Sequence, residues 1–134
     1  MIKSSLEKSI LATVELPISM PLEDLALKLG EAIGDISFER EDTGRFEEVP
    51  AFVAEETNMA FVLWGVPEGE HSDVYILQMS AEISLPIEEF RNSTLEFASS
   101  FLDIKEPNSR GYLDYSDELA NALCSRGIRA YKLI

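Results

Sequence analysis

Between residues 36 and 81 the chain alternates four apolar stretches, each too short for a helix of ordinary length, with three polar turns. Ile36 and Phe38 alternate with polar neighbours, residues 46–54 have β character, residues 59–66 are apolar throughout, and residues 74–81 form another strand-like run. The turns fall at 39–45, 55–58 and 67–73, rich in Glu, Asp, Gly and Asn. Short apolar runs punctuated in this way predict an antiparallel meander. The run Met59-Ala60-Phe61-Val62-Leu63-Trp64-Gly65-Val66 is expected to be a central strand covered on both faces, which favours Trp64 in the core over Trp64 as an apolar neighbour of the acidic turns. Pro50 lacks an N–H and implies an edge position or a bulge in its stretch.

The flanks have other periods. Residues 9–16 read as a first strand closed by Pro17. Ser19 suits an N-cap and Pro21 a first turn; Leu22, Leu25, Ala26, Leu29 and Ile33 then recur at helical spacing, with Gly34 as the stop, predicting a helix over 20–33. After Pro86, Ile87, Phe90, Thr94, Phe97, Ala98 and Phe101 mark one helical stripe, with Glu88 and Glu89 in its first turn. Residues 103–114 read as loop, Ser116 opens a last helix that Gly127 ends, and residues 128–133 close as a strand. The expected order is β-α-β-β-β-β-α-α-β, an α+β fold with helices packed on one face of a mainly antiparallel sheet. At 134 residues, with neither repeat nor linker, residues 1–134 are read as a single domain.

Charge is the second constraint. The chain carries 25 acids against 11 Lys and Arg, a net charge of −14. Such a surface repels phosphates and anionic lipid, so no nucleic-acid or membrane partner is expected, and it attracts basic proteins. The excess is localised: residues 35–73 hold eleven acids and two bases, a net of −9, whereas Arg126, Arg129 and Lys132 make residues 126–134 basic. In a meander the turns at 39–45 and 67–73 share one end of the sheet. Glu39, Glu41, Asp42, Phe46, Glu47, Glu48, Glu68, Glu70 and Asp73 are therefore the candidate partner-binding residues: an acidic rim with an aromatic anchor. Simple solvation of acidic turns is the competing reading.

The residues that carry chemistry are sparse. His71, the single histidine, sits in a polar turn. Cys124 is also single, so neither an internal disulfide nor a multi-cysteine zinc site can form, and no cationic cluster activates its thiol. Asp42-Thr43-Gly44 has the letters of an aspartic-protease site but lies among Glu39, Arg40, Glu41 and Arg45 instead of apolar strands. Asn92-Ser93-Thr94 has the glycosylation pattern inside an expected helix. There is no calcium-loop pattern and no phosphate-cradling glycine loop. No catalytic residue, cofactor or metal is expected. The N-terminus does not read as a secretory signal and no run is long enough to span a membrane, so the expected compartment is the cytoplasm.

With its size, its acidity and acidic stretches such as Phe46-Glu47-Glu48-Val49-Pro50-Ala51-Phe52, the chain resembles bacterial immunity proteins that neutralise polymorphic or contact-dependent growth inhibition toxins. The resemblance is one of general character over the whole chain; it rests on no diagnostic motif and assigns no residue a role. It implies a cognate basic protein, a toxin domain such as a nuclease, covered by the acidic face of a monomer or weak dimer. Two other readings stay open. One is a small-molecule-binding domain or enzyme with a pocket between helices and sheet, near Asp114, Tyr115, Tyr75 and Cys124. The other is an acidic secretion chaperone or adaptor using its apolar strands.

Overall fold

The computed structural model describes residues 8–18, 20–40, 51–56, 59–65 and 74–132. Burial along the strands alternates with a period of two, which fixes one core face. In β1 (Lys8–Leu16) the residues Ile10, Ala12, Val14 and Leu16 are buried, and in β5 (Tyr75–Ile83) Leu77, Met79, Ala81 and Ile83. The register sets Ile10, Ala12 and Val14 opposite Ala81, Met79 and Leu77. The same face continues through Phe61 and Leu63 of β4 (Met59–Trp64) to Ala54 and Phe52 of β3 (Ala51–Glu56). With β2 (Glu39–Arg40), β6 (Tyr112–Asp114) and β7 (Tyr131–Lys132) this makes one seven-stranded sheet of order β2-β3-β4-β5-β1-β6, with β7 also paired to β1. The meander β2 to β5 is antiparallel throughout; β1 and β6 are the parallel pair.

The helices lie over the core face. In α1 (Leu22–Ile33) the buried residues Leu25, Ala26, Leu29 and Ile33 are the expected stripe. In α4 (Ser116–Ser125) Leu119, Ala120 and Leu123 turn inward. Arg126, just past α4, donates from Nη1 to Ala32 O at 2.7 Å and lies over the Phe97 ring at 5.1 Å, tying the helices together. The fold class is therefore the expected α+β with a mostly antiparallel sheet.

Strand ends shift, Glu55 and Glu56 belonging to β3 instead of a turn and the last strand being Tyr131–Lys132, and four larger details differ from expectation. The strand expected at Ile36 and Phe38 pairs instead at Glu39 and Arg40. β4 is not covered on both faces: Met59, Phe61 and Leu63 are buried, while Ala60, Val62 and Trp64 are half-buried on the side away from the helices. The stripe after Pro86 is two single turns, α2 (Ile87–Phe90) and α3 (Glu96–Ser99), because the Ser93 side chain and backbone N–H both bond to Phe90 O and divert the ladder. Its apolar members Ile87, Phe90, Phe97, Ala98 and Phe101 still reach the core. Finally, β6 lies in the stretch read as loop. Its three residues are too few to show a period, and a turn in which Asn108 Oδ1 accepts from Arg110 N and Tyr112 N delivers them to β1.

One edge of β1 changes partner along its length. β6 pairs with Ser9–Leu11, and β7 with Val14 and Glu15. The Thr13 N–H falls in the gap and donates to Ser116 Oγ at 2.9 Å. Ser116 thus completes the ladder between two strands that do not meet, and in turn donates from Oγ to Asp114 Oδ1 at 2.6 Å.

Candidate functional site

Of the nine residues expected to bind a partner, Glu39 is described: it lies exposed in β2, opposite Val53. Glu41, Asp42, Phe46, Glu47, Glu48, Glu68, Glu70 and Asp73 lie outside the described residues. The strands that flank them are described. Arg40 pairs with Phe52, Ala51 with Trp64, and Trp64 with Ile76. The stretches 41–50 and 66–73 therefore begin and end at the same end of the sheet. By sequence 41–50 holds four acids and one base, and 66–73 three acids and no base besides His71.

Beside that end the structure has a groove that the sequence reading did not anticipate. It runs between α1 and the β2–β3 side of the sheet, with a volume of about 430 Å³. That is within the roughly 300–1,000 Å³ of ligand-sized clefts. Its floor is apolar: Ala26, Ile36, Phe38 and Phe52. Its rim is acidic: Glu23, Glu31 and Asp35. Leu27, on the rim, leaves 70% of its surface in solvent.

Local sequence builds this groove. Glu23, Leu27 and Glu31 recur every four residues and so stand on one face of α1, over about 12 Å at 1.5 Å per residue. After Ile33 the chain reverses through Gly34 at φ 139° and Asp35 at φ 58°, a left-handed region that Gly and Asp tolerate better than most residues. Gly34 N and Ile36 N both donate to Gly30 O, at 3.2 and 3.1 Å. The return is so close that a Cβ on Gly30 would stand 2.3 Å from Ile36 O. This brings Phe38 back alongside the helix, where its ring meets Phe61 edge-on at 6.4 Å. At the acidic end Arg40 Nη1 reaches Glu23 Oε1 at 4.0 Å, with both side chains largely exposed. Glu31 and Asp35 have no ion pair among the described residues.

A second polar cluster surrounds the start of α4. Asp114 Oδ1 accepts from Ser116 N at 2.9 Å as well as from its hydroxyl, and so caps the helix from the residue before Tyr115. Burial alone raises the Asp114 carboxyl, but the two Ser116 hydrogen bonds and the charges of Lys132 and Lys105 outweigh it, so it titrates below its ordinary value. Lys105 Nζ donates to Glu118 Oε2 at 2.5 Å and Asp114 O at 2.7 Å, and lies 4.6 Å from the Tyr115 ring centre. Tyr115 is fully buried and its hydroxyl donates to Asp103 O at 2.5 Å. Burial first, then Glu118 and Asp103, push its pKa up to about 12 against the smaller pull of Arg91. Among the described residues, the buried Glu118 Oε1 has no hydrogen-bond partner. The Ser116 hydroxyl and Asp114 Oδ1 are taken up by each other and by the backbone N–H groups of Thr13 and Ser116.

The four residues considered for a small-molecule pocket are not gathered around one cavity. The Tyr75 hydroxyl donates to Met20 O at the far end of β1. Tyr75 pairs with Leu16 while Tyr115 N bonds to Leu11 O, five strand residues away, or about 16 Å. Cys124 is exposed near the end of α4, with Sγ 3.4 Å from Ala130 O. Among the described residues no group of three or more His, Cys, Asp or Glu could hold a metal ion, and no helix is long and apolar enough to cross a membrane. No protein-family model, curated protein or solved structure matches this chain.

Proposed function

We propose that this protein is a non-catalytic binding domain that engages a basic protein through the acidic end of its sheet, and that its partner is a toxin domain it neutralises as an immunity protein. The observation that supports this reading is topological. The pairing of β2 through β5 makes both acidic connections, 41–50 and 66–73, leave from the same end of the sheet, next to Glu23 and the acidic groove. Carboxylates gathered at one end concentrate the negative potential there and steer a basic partner, so association is fast and falls with salt. A toxin whose basic surface binds nucleic acid would be blocked when that surface is covered.

The test is co-expression with the product of the neighbouring open reading frame, followed by pull-down and a growth assay. The expected result is a complex stable at low salt and rescue of growth. Reversing Glu41, Asp42, Glu47 and Glu48 to Lys should slow association by about tenfold or more while folding is retained. No association at low salt would overturn the reading.

A further inference from the structure

The groove between α1 and the β2–β3 side has the character of a docking site in its own right, with a cation already at one end. Arg40 reaches across to Glu23, but at 4.0 Å and with both side chains more than half exposed, a pair of this kind contributes little and exchanges freely. At the other end Glu31 and Asp35 have no such ion pair among the described residues, and between the two ends Leu27 is exposed over an apolar floor. The order along the rim is therefore acid, leucine, acid, at four-residue spacing, with Asp35 beyond it. Its complement is base, apolar, base at the same spacing. A lone acidic cluster would be satisfied by water. An acidic rim around an open apolar cleft is satisfied by a segment carrying both features, because the apolar anchor excludes water from the flanking ion pairs and strengthens them.

We infer that this groove receives a helical segment of a protein partner, presenting one aliphatic or aromatic side chain between two Lys or Arg residues at four-residue spacing. The anchor side chain lies on Phe38, Phe52 and Leu27. One flanking base replaces Arg40 at Glu23, and the other pairs with Glu31 and Asp35. This rests on the reading of the protein as a binder of basic proteins, and it assigns a contact to α1 in addition to the acidic turns.

The test uses a synthetic helical peptide of about 14 residues, roughly four turns, carrying a Lys-x-x-x-Leu-x-x-x-Lys stripe. Two control peptides have the Leu replaced by Ser or both Lys replaced by Glu. Each is titrated into the ¹⁵N-labelled full chain at low salt. The expected result is amide shifts confined to residues 22–40 and 51–54, with either control weaker by about tenfold or more. Leu27→Ser, and separately Glu31→Lys with Asp35→Asn, should each weaken the parent peptide to a similar degree. All three positions are exposed, and Asn tolerates the backbone at position 35. Shifts spread over the whole surface, or equal binding by the variants, would overturn the groove. A toxin domain that binds with its footprint elsewhere would overturn the groove and leave the proposed function standing. A peptide that binds here while no toxin is neutralised would do the reverse.

Discussion

The two polar regions of this protein use their charges in opposite ways. Around the start of α4, Asp114, Ser116, Lys105, Glu118 and Tyr115 bond to one another and to the backbone of β1 and of residue 103, and their polar atoms are half-buried or buried. Along the α1 groove, Glu23, Glu31 and Asp35 are exposed around an apolar floor and, among the described residues, share a single long ion pair. Apart from Glu118 Oε1, the first cluster uses its hydrogen bonds up in joining strands that would otherwise leave orphaned backbone groups. The second leaves its charges available. Polar groups that complete a fold are satisfied within it, and those that recruit a partner stay open until it arrives.

Alkaline titration is the largest way to break this contrast. The Tyr115 hydroxyl ionises near 10 when unfolded and at about 12 in the native state. Between those values the unfolded chain holds fewer protons, so stability falls as pH rises. The two-unit difference corresponds to about 2–3 kcal/mol lost between pH 10 and pH 12, beyond the loss from the other titrating groups. Tyr115→Phe should remove that excess, as read by urea unfolding across the range; identical slopes in both proteins would contradict the buried, bonded hydroxyl.

Next in size is Ser116→Ala. It leaves the Thr13 N–H without an acceptor in the gap between β6 and β7 and should cost about 1–3 kcal/mol in urea unfolding. Ser116→Thr, which keeps the hydroxyl, should recover part of this. Gly30→Ala tests the groove's architecture. Ala favours a helix interior over Gly by about 1 kcal/mol, so an ordinary helical site would be stabilised. Here the new Cβ meets Ile36 O, and we expect a net loss of about 1–3 kcal/mol by overpacking. A rise in the melting temperature would show that the return of the chain beside α1 is looser than described. The smallest effect on stability is expected at the rim: Leu27→Ser should change it by less than about 0.5 kcal/mol.

These features were unequally legible in the chain. The stripe Leu22, Leu25, Ala26, Leu29 and Ile33 declared α1, and short apolar runs declared the meander, because period and turn chemistry are local signals. The topology that sends both acidic connections to one end followed from the meander alone. β6 did not declare itself, since three residues in parallel register with β1 draw their stability from a distant strand. Nor did Ser116, which reads in the sequence as the opening of a helix and not as the repair of a gap at Thr13. An apolar run looks alike whether one face or both are covered, and so the half-buried position of Trp64 was not legible. The groove had a signal that went unused: Leu27 falls off the buried stripe of α1, midway between Glu23 and Glu31. What could not be read was that Phe38 and Phe52 would stand beside that helix, because this depends on the tight return past Gly30.

The account separates residues that hold the fold from residues that hold a partner, and one paired measurement tests it. The Lys-x-x-x-Leu-x-x-x-Lys peptide is titrated into Leu27→Ser and into Ser116→Ala, at a temperature well below both unfolding midpoints. The account predicts that Leu27→Ser loses affinity by about tenfold with its midpoint unchanged, whereas Ser116→Ala keeps the affinity and loses stability. Equal affinities in the two variants would contradict it.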